Sequence, residues 1–425
     1  MARNPARTQR PVGWRTGGCL LAVAVLMFAA VSQAGPPSSR LAGLRLTAST
    51  SVLPRASTPA DDWPSFGYGP GFTRDNQAER TLNRQSVHNL QRRWTFTSVP
   101  QNFSAAWGFQ GPVVAGGVLY RQVIANPTGN AAYSDLEAVN ASTGTLAWGQ
   151  QGSIADMGNQ AVSGGMIFTP YSGPGCESDC LEALNANGTV AWTFPGEHLA
   201  SLGLAAGDGV VYATTPTMVY ALDAQTGQVL WQLAGDGFGQ LALGNGIAYL
   251  TCAAGIEAVT AATGKVLWTS PSEAGDRWVA VSGGSGFTVG NVTVRELNAA
   301  TGATIWRARS GDGTVEGWNP AVGDNALYLS TTDGGLHAYS LRDGHALWSR
   351  PHLHATVSSP AVAGGVVYVG TDRAVLALST ATGAVLWRAV TGQVMNSPAI
   401  ADGQLYIDNG AGVIDDYGLP GGTRG

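Results

Sequence analysis

Short segments of alternating apolar and polar residues fill the chain from about residue 91 onward, as in Tyr220-Ala-Leu-Asp and Leu376-Ala-Leu-Ser. Alternation with a period of two predicts β-strands that bury one face, and no segment of this region follows the helical period. Pairs of small residues that accept a positive φ stand between the segments and predict two-residue hairpin turns. These pairs are Gly116-Gly117, Gly164-Gly165, Asp208-Gly209, Asn245-Gly246, Gly283-Gly284, Asp324-Asn325, Gly364-Gly365 and Asp402-Gly403.

A glycine followed four residues later by a tryptophan marks a repeated unit. Successive glycines lie 44, 39, 37, 38, 42 and 39 residues apart. Each unit has room for two hairpins, or four strands, which is the content of one β-propeller blade. The seven pairs are Gly144/Trp148, Gly188/Trp192, Gly227/Trp231, Gly264/Trp268, Gly302/Trp306, Gly344/Trp348 and Gly383/Trp387.

An eighth unit begins at Ser397 and reaches Gly422, and its tryptophan would fall one residue beyond the last residue of the sequence. The alternating segment 91–98, which contains Trp94, stands at the other end of the repeats. If this segment completes the last blade, the ring closes and no sheet edge stays open. We therefore predict an all-β, eight-bladed β-propeller of four-stranded antiparallel blades, closed by an N-terminal strand.

Eight tryptophans fall in phase with the repeat, and we predict that each is structural and stacks on the next blade. A buried indole contributes a large apolar area, and its truncation typically costs about 3–5 kcal/mol. These docking tryptophans are Trp94, Trp148, Trp192, Trp231, Trp268, Trp306, Trp348 and Trp387.

The first 34 residues predict a secretory signal peptide. Four arginines precede an apolar run from Cys19 to Val31, and small residues follow it up to Ala34, where cleavage is expected. An uncleaved anchor is the alternative, although the run is short for a membrane span. Residues 35–60, rich in Pro, Ser and Thr, predict a disordered linker, which assigns 61–425 to the propeller. Export would place the protein in the periplasm or outside the cell, with no integral membrane segment after cleavage.

Composition narrows the function classes. The 425 residues have a net charge of −5, only 12% charged residues and 59 glycines, and they contain no basic blocks. A coiled coil needs more charged helix formers, and a nucleic-acid-binding protein needs a basic surface, so both are excluded. We expect a monomer.

The cysteines fit an exported protein. Cys176 and Cys180 lie four residues apart in a loop-like sequence, and an oxidising compartment favours a disulfide between them. A metal site there would need two further ligands, and the sequence shows none nearby. Cys252, outside this pair, has small and apolar neighbours and is predicted to be a buried thiol.

The repeat Ala-Leu-Asp-Ala-x-Thr-Gly-x-x-Leu-Trp resembles the tryptophan-docking repeat of the pyrroloquinoline-quinone (PQQ)-type β-propellers. The segments 62–67 and 87–94, together with Thr73 and Arg74, are similar to the segment that leads into the first blade of the quinoprotein alcohol dehydrogenases. That superfamily includes these dehydrogenases and the non-enzymatic outer-membrane assembly lipoprotein BamB. The resemblance covers residues 62–422, and such a repeat is more specific for the fold than for the function.

The resemblance implies two functions. A quinoprotein dehydrogenase would hold PQQ near the ring axis, with Ca²⁺ bound by Glu and Asn, an Asp base and typically two adjacent bonded cysteines. This chain has no adjacent cysteine pair, no C-x-x-C-H haem motif and blades close to minimum length. We predict a non-catalytic binding or scaffold module for a protein, peptide or glycan partner, with no cofactor and no metal. A PQQ- and Ca²⁺-dependent alcohol or sugar dehydrogenase is the alternative.

The partner is expected on the face where loops lead into the innermost strands, because loops on a rigid scaffold carry function. His352 and His354 would form a possible metal pair if they share one face of a strand, and a solvent-facing strand is the alternative. A channel-lining or packing role is the alternative for each of the other residues. Two long neighbouring loops, 123–135 and 169–180, share this face. The candidate ligand-binding residues are Trp107, Asn159, Arg277, Trp278, Glu316, Trp318, His352, His354 and Asn396.

Overall fold

The computed structural model of the protein describes residues 61–98, 111–125, 133–153, 159–173, 176–196, 199, 203–272, 276–310, 319–353, 357–392, 394, 396–409 and 412–421. The signal peptide predicted for residues 1–34 and the linker predicted for residues 35–60 lie outside these ranges and stay predictions.

Two strands, β1 (Asp75–Asn76) and β2 (Gln91–Thr97), precede the repeats, with a 3₁₀ helix (Val87–Asn89) between them. The strands of the first four blades follow. Blade 1 contains β3 (Val113–Ala115), β4 (Val118–Ala125), β5 (Tyr133–Asn140) and β6 (Leu146–Ser153), and blade 2 contains β7 (Ala161–Ser163), β8 (Met166–Gly173), β9 (Cys176–Asn185) and β10 (Val190–Phe194). Blade 3 contains β11 (Leu204–Gly207), β12 (Val210–Thr214), β13 (Met218–Asp223) and β14 (Val229–Ala234), and blade 4 contains β15 (Leu241–Gly244), β16 (Ile247–Cys252), β17 (Gly255–Thr260) and β18 (Val266–Pro271).

The last four blades repeat this order of strands. Blade 5 contains β19 (Trp278–Ser282), β20 (Ser285–Val289), β21 (Thr293–Asn298) and β22 (Thr304–Arg309), and blade 6 contains β23 (Ala321–Gly323), β24 (Ala326–Ser330), β25 (Leu336–Ser340) and β26 (Ala346–Arg350). Blade 7 contains β27 (Ala361–Ala363), β28 (Val366–Gly370), β29 (Ala374–Ser379) and β30 (Val385–Val390), and blade 8 contains β31 (Ala399–Ala401), β32 (Gln404–Asp408) and β33 (Val413–Gly418).

Blade 8 takes its fourth strand from the N-terminal side of the repeats. The sheet order is β2-β33-β32-β31, and β2 pairs antiparallel with β33 so that Trp94 lies opposite Asp416. The prediction of an all-β, eight-bladed propeller closed by an N-terminal strand is confirmed. Within the described ranges, no helix is long and apolar enough to cross a membrane.

The first hairpin of every blade turns through a pair of residues that both have a positive φ. In blade 6 these are Asp324, with φ 51°, and Asn325, with φ 60°. All eight predicted pairs share this conformation, which matches the right-handed twist of the flanking strands. The hairpin positions inferred from small residues are therefore confirmed.

Seven of the eight docking tryptophans pack on the glycine of the next blade, and the eighth, Trp387, donates its indole N–H to the Leu90 carbonyl oxygen beside β2 of blade 8. A Cβ atom on Gly264 would lie 2.5 Å from the ring of Trp231, which belongs to the preceding blade. The indole Nε1–H of Trp231 donates to the Ala261 carbonyl oxygen at 2.7 Å, in the same turn as Gly264. The contact between Trp94 of blade 8 and Gly144 of blade 1 has the same form and closes the ring.

Hydrophobic cores lie between neighbouring blades. Leu222 and Ala224 of blade 3 pack with Phe168 of blade 2, and Leu297 of blade 5 packs with Tyr249 of blade 4. Because the middle strands of the blades, such as β24 and β25, bury residues on both of their faces, every blade depends on both of its neighbours for burial.

Blades 1 and 2 are joined, which the repeat does not predict. Ser153 at the end of β6 pairs with Ser172 of β8, and this pairing connects the two blades into one eight-stranded sheet. The strands β4, β5, β8 and β9 contain eight to ten residues, whereas the second and third strands of the other blades contain five or six. The strand β6 also has eight residues, and the extra length of β6 and β8 lets the ends of these two strands pair.

Residues 62–79, here named the channel plug, lie along the inner edges of the blades. Their carbonyl groups accept hydrogen bonds from backbone N–H groups of the inner strands of blades 1, 2, 4, 5, 6 and 7, in that order along the plug. For blade 8, the Asn76 side chain donates to the Ile400 carbonyl and Glu79 accepts from the Gly403 N–H, both at 2.8 Å. The backbone donors and acceptors are Val114 to Trp63, Val162 to Pro64, Leu243 to Pro70, Val281 to Gly71, Val322 to Thr73 and Val362 to Arg74, at 2.7–2.8 Å.

The docking contact predicts the effect of two matched substitutions. Gly264 and Gly246 both have positive φ, but only Gly264 faces a tryptophan, since nothing lies within 4 Å of a Cβ on Gly246. Gly246→Ala should lower the free energy of unfolding by about 1–2 kcal/mol, the cost of a left-handed alanine. Gly264→Ala should cost clearly more because Trp231 must also move. Equal losses in chemical denaturation would contradict the docking role of Gly264.

The plug and the closing strand predict a graded response to N-terminal truncation. A chain that starts at Ala60 should melt like the mature protein, because it keeps every described N-terminal contact. A chain that starts at Gln91 loses the plug and should be less stable, and one that starts at Val99 also loses β2 and Trp94 and should aggregate. Soluble yield and thermal melting measure all three. A cooperative melt of the Val99 chain would refute closure by β2.

Candidate functional site: the polar rim of the channel

The residues that lead into the inner strands form a polar rim. The plug pairs near the hairpin-turn ends of these strands, so the rim lies at their other ends. Most rim side chains are polar and buried, a combination that normally requires hydrogen-bond partners. The described rim residues are Asn159, Gln160, Gln240, Asp276, Arg277, Asn319, Ser358, Ser359, Asn396 and Ser397.

Three rim amides contain buried polar atoms that have no hydrogen-bond partner in the described part of the chain. These atoms are Nε2 of Gln160, both Nε2 and Oε1 of Gln240, and Oδ1 of Asn396. Leaving a buried polar group unsatisfied costs about 1–3 kcal/mol. The rim therefore has both donors and acceptors available for a ligand or for ordered water.

Close contacts between blades hold the rim rigid. The Asn319 N–H of blade 6 donates to Ser359 Oγ of blade 7 at 2.9 Å. Where blade 1 meets blade 8, a Cβ on Gly111 would lie 2.1 Å from the Ser397 carbonyl oxygen, so only glycine fits there. These two contacts fix the described rim residues of neighbouring blades against one another.

A buried ion pair stands at the blade 5 position of the rim. Arg295 of β21 donates to the Asp276 carboxylate, and Thr288 Oγ1 donates to the same carboxylate at 3.1 Å. Both charged side chains are almost fully buried, and removing one partner of such a pair typically costs about 3–5 kcal/mol. Asp276 is thus held in a structural contact.

The channel floor is centred on Arg74 of the plug, which is fully buried. Its Nε donates to the Pro360 carbonyl at 2.6 Å and its Nη1 to the Phe66 carbonyl at 2.7 Å, and the guanidinium lies 4.8 Å from the centre of the Phe66 ring. Burial lowers the pKa of Arg74 to about 9, which leaves the side chain cationic at neutral pH. A positive charge therefore lies beneath the rim.

The structure brings only some of the predicted site residues to the rim. Asn159 and Asn396 are buried there, at blades 2 and 8, and Arg277 is exposed at the blade 5 position. Trp278 was predicted in a loop, but it is the first residue of β19 and pairs with Val289. Trp107, Glu316, Trp318 and His354 lie outside the described residues.

The predicted position of His352 on a strand is also wrong. His352 lies in an exposed turn with φ 52°, and its Nδ1 donates to the Asp333 carbonyl oxygen at 3.1 Å. The left-handed conformation at His352 ends the extended backbone there, so this residue does not lie on a strand.

Sequence reasoning missed Gln160 and Gln240. Each directly precedes an inner strand, β7 or β15, and interrupts an otherwise small or apolar approach to it. Their position just before an inner strand could have indicated that they belong to the rim. However, glutamines next to strands are also common on the exposed surface, so the position alone does not predict a buried site.

Comparison with known proteins places this geometry in a family. A family model described as outer membrane protein assembly factor BamB matches residues 83–240, 253–389 and 350–417. The chain belongs to the BamB family. The resemblance to PQQ-type propellers inferred from the repeat is confirmed.

Individual relatives of this BamB-family chain are distant. BamB of Bordetella pertussis is 31% identical over 124 residues, which is 28% of this chain and about a third (32%) of that protein. Quinohemoprotein alcohol dehydrogenase ADHIIG of Pseudomonas putida HK5 is similar in structure, with TM-score 0.67 and 16% identity over 88% of this chain and 84% of the enzyme. BamB of Moraxella catarrhalis has TM-score 0.56 and 18% identity over 79% of this chain and 99% of its own. At these identities, the two solved structures show the fold alone.

The described rim of this BamB-family propeller does not fit a quinone with Ca²⁺. Calcium takes six to eight oxygen ligands and favours carboxylates. The described rim residues include one carboxylate, Asp276, which already contacts Arg295 and Thr288. Among the residues that the structure describes, no group of three His, Cys, Asp or Glu side chains could hold a metal ion.

Asp75 in the channel floor gives the protein a predicted pH dependence. Burial, with a contribution from Asp324, raises the pKa of Asp75 from 3.8 to about 7. The folded state then binds the extra proton between these values, so stability falls as the pH rises from about 4 to 7. The melting temperature of Asp75→Asn should therefore fall less than that of the wild type when the pH is raised from 5 to 8.

Asp223→Asn is the control, because hydrogen bonds from Thr226 lower the pKa of the exposed Asp223 and keep it ionised over this range. Its pH profile should parallel that of the wild type. An Asp75→Asn profile that also parallels the wild type would show that Asp75 ionises normally in the folded protein.

Proposed function

We propose that this protein is an exported, non-catalytic binding module that holds a protein or peptide partner at the rim of its channel. The plug fills one end of the channel with the chain's own residues, so a ligand would approach from the rim. A ring whose blades are tied together by backbone and docking contacts is suited to recognition, because little ordering entropy is lost on binding.

The unpartnered amides of Gln160, Gln240 and Asn396 are the observation that carries this proposal. Together they offer donor and acceptor atoms, which match the alternating N–H and C=O groups of a polypeptide backbone. Sugar hydroxyls are also complementary to amides, so a glycan is the second partner class. The name of the family, an outer membrane assembly factor, favours a protein partner in the cell envelope.

Removal of the rim amides tests the proposal. The double variant Gln240→Leu/Asn396→Leu removes polar atoms that have no partner in the described chain, so its melting temperature should be unchanged or higher. Its affinity for the envelope protein that cross-links to the wild type at the rim should fall by about 2 kcal/mol, or roughly thirtyfold. Gln225→Ala, on an exposed turn, is the control and should bind like the wild type.

A separate titration addresses the dehydrogenase alternative. The mature protein is mixed with PQQ and Ca²⁺, and binding is followed by absorbance and activity by reduction of an artificial electron acceptor with alcohols and sugars. We expect neither tight binding nor dye reduction. Dye reduction that needs both PQQ and Ca²⁺ would overturn the non-catalytic proposal.

A further inference from the structure

A cleft lies between blades 1 and 2, where the extended strands join the two blades. It has a cavity volume of about 20 Å³, room for one group the size of a water molecule or an ammonium ion, and it is open to solvent. The disulfide between Cys176 and Cys180, with Cα atoms 5.9 Å apart, ties the start of β9 beside it. The lining residues are Gln122, Leu136 and Gln150 from blade 1 and Thr169, Pro170, Tyr171 and Glu182 from blade 2.

The blade 1 wall is one row of side chains across three strands. Gln122 of β4 is paired with Leu136 of β5, which is paired in turn with Gln150 of β6. Paired residues of neighbouring strands share a face of the sheet, so all three side chains face blade 2. The row presents an amide, a buried leucine and a second amide to the cleft.

The polar atoms of the cleft are mainly acceptors. Oε1 of Gln122 and Oε1 of Gln150 are buried and have no hydrogen-bond partner in the described ranges. Gln150 uses its Nε2 to donate to Glu182 Oε2 at 3.0 Å, and Thr193 Oγ1 lies 3.4 Å from Glu182 Oε1 and donates to it. Among the lining residues, Glu182 is the charged one, and none is basic.

These features define the chemistry of a complementary ligand. Two buried acceptor oxygens beside a carboxylate favour a cationic hydrogen-bond donor. The small volume of the cavity limits the bound group to the size of an ammonium. A bare Ca²⁺ ion would need six to eight oxygens, and the four polar lining side chains other than Tyr171 do not supply that number.

A primary ammonium suits this site better than a guanidinium. An ammonium group is compact and directs three donors to separate acceptors, whereas a guanidinium is a planar fork that matches one carboxylate in bidentate fashion. The Glu182 carboxylate already accepts from Gln150 and Thr193, and the remaining acceptors are single amide oxygens.

We propose that the cleft between blades 1 and 2 binds a primary ammonium group on an aliphatic stem, such as a lysine side chain of a polypeptide. The ammonium donates to the amide oxygens of Gln122 and Gln150 beside the Glu182 carboxylate, and the aliphatic stem extends out of the opening of the cleft. This site lies between two blades and does not depend on the rim, so it holds whether or not the rim binds the proposed partner.

Ligand-observed NMR on the mature protein tests the proposal with a pair of small probes. N-acetyl-lysine N-methylamide should bind with a millimolar dissociation constant, which corresponds to few contacts. N-acetyl-norleucine N-methylamide, which has a similar stem and no ammonium, should bind at least about tenfold more weakly. Equal binding of the two probes, or none by the lysine probe, would overturn the proposal.

Two glutamates provide a matched pair of variants. Glu182 of blade 2 and Glu257 of blade 4 occupy equivalent third-strand positions, and each accepts from a paired threonine at 3.4 Å, but only Glu182 lines the cleft. Glu182→Gln should weaken lysine-probe binding about tenfold, and Glu257→Gln should leave it unchanged. Equal effects of the two variants would contradict the site.

Gln122→Leu keeps the charge of Glu182 and removes one acceptor, so it tests the site even if Glu182→Gln fails to fold. It should weaken binding of the lysine probe several-fold at an unchanged melting temperature.

Competition with CaCl₂ alone is the last experiment. Displacement of the probe by millimolar Ca²⁺, at constant ionic strength, would identify a metal site and refute the ammonium proposal.

Discussion

The free inner edge of the blades is the constraint on which the whole ring depends. Each inner strand pairs with its own blade on one side only, so its other edge directs backbone N–H groups toward the axis, where little room for water remains. The plug accepts hydrogen bonds from six of these N–H groups. Each one left unsatisfied would cost about 1–3 kcal/mol, and six together would match the 5–15 kcal/mol that typically stabilises a domain. The plug is therefore part of the fold.

The outer part of the ring is also held by contacts between neighbouring blades, but there the contacts are tryptophan packing and not backbone hydrogen bonds to the plug. There, the indole of one blade covers the docking glycine of the next, and β2 supplies the last indole, Trp94, to Gly144. The N-terminal segment thus closes the ring twice, once at the axis through the plug and once at the periphery through β2. Blade 8 and the plug form from residues about three hundred positions apart, which makes ring closure a late, non-local event in folding.

Local and repeated features of this fold could be predicted, and unique long-range pairings could not. The hairpin pairs and the glycine–tryptophan period each obey a local rule of turn conformation or strand spacing, and Trp94 could be found because it continues that period. The plug obeys no period, since it contacts successive blades at uneven intervals along its sequence, and Tyr68, Phe72 and Arg74 adopt positive φ without being glycine. The pairing of blades 1 and 2 through Ser153 and Ser172 involves a single residue pair, so no hydrophobic–polar pattern in the sequence predicts it.

The candidate sites divide in the same way. Asn159 and Asn396 were found because they interrupt the repeat, whereas Gln240 and the cleft residues Gln122 and Gln150 depend on burial between blades, which spacing does not reveal. These glutamines also share an energetic property. Each keeps buried polar atoms without a partner, and a leucine of similar volume would avoid that cost. Five of the buried amides without a full set of partners in the described chain lie at the rim (Gln160, Gln240, Asn396) or in the cleft (Gln122, Gln150), the two places that we propose to bind a ligand. A ligand that forms hydrogen bonds with these amides would remove the free-energy cost of leaving them unsatisfied.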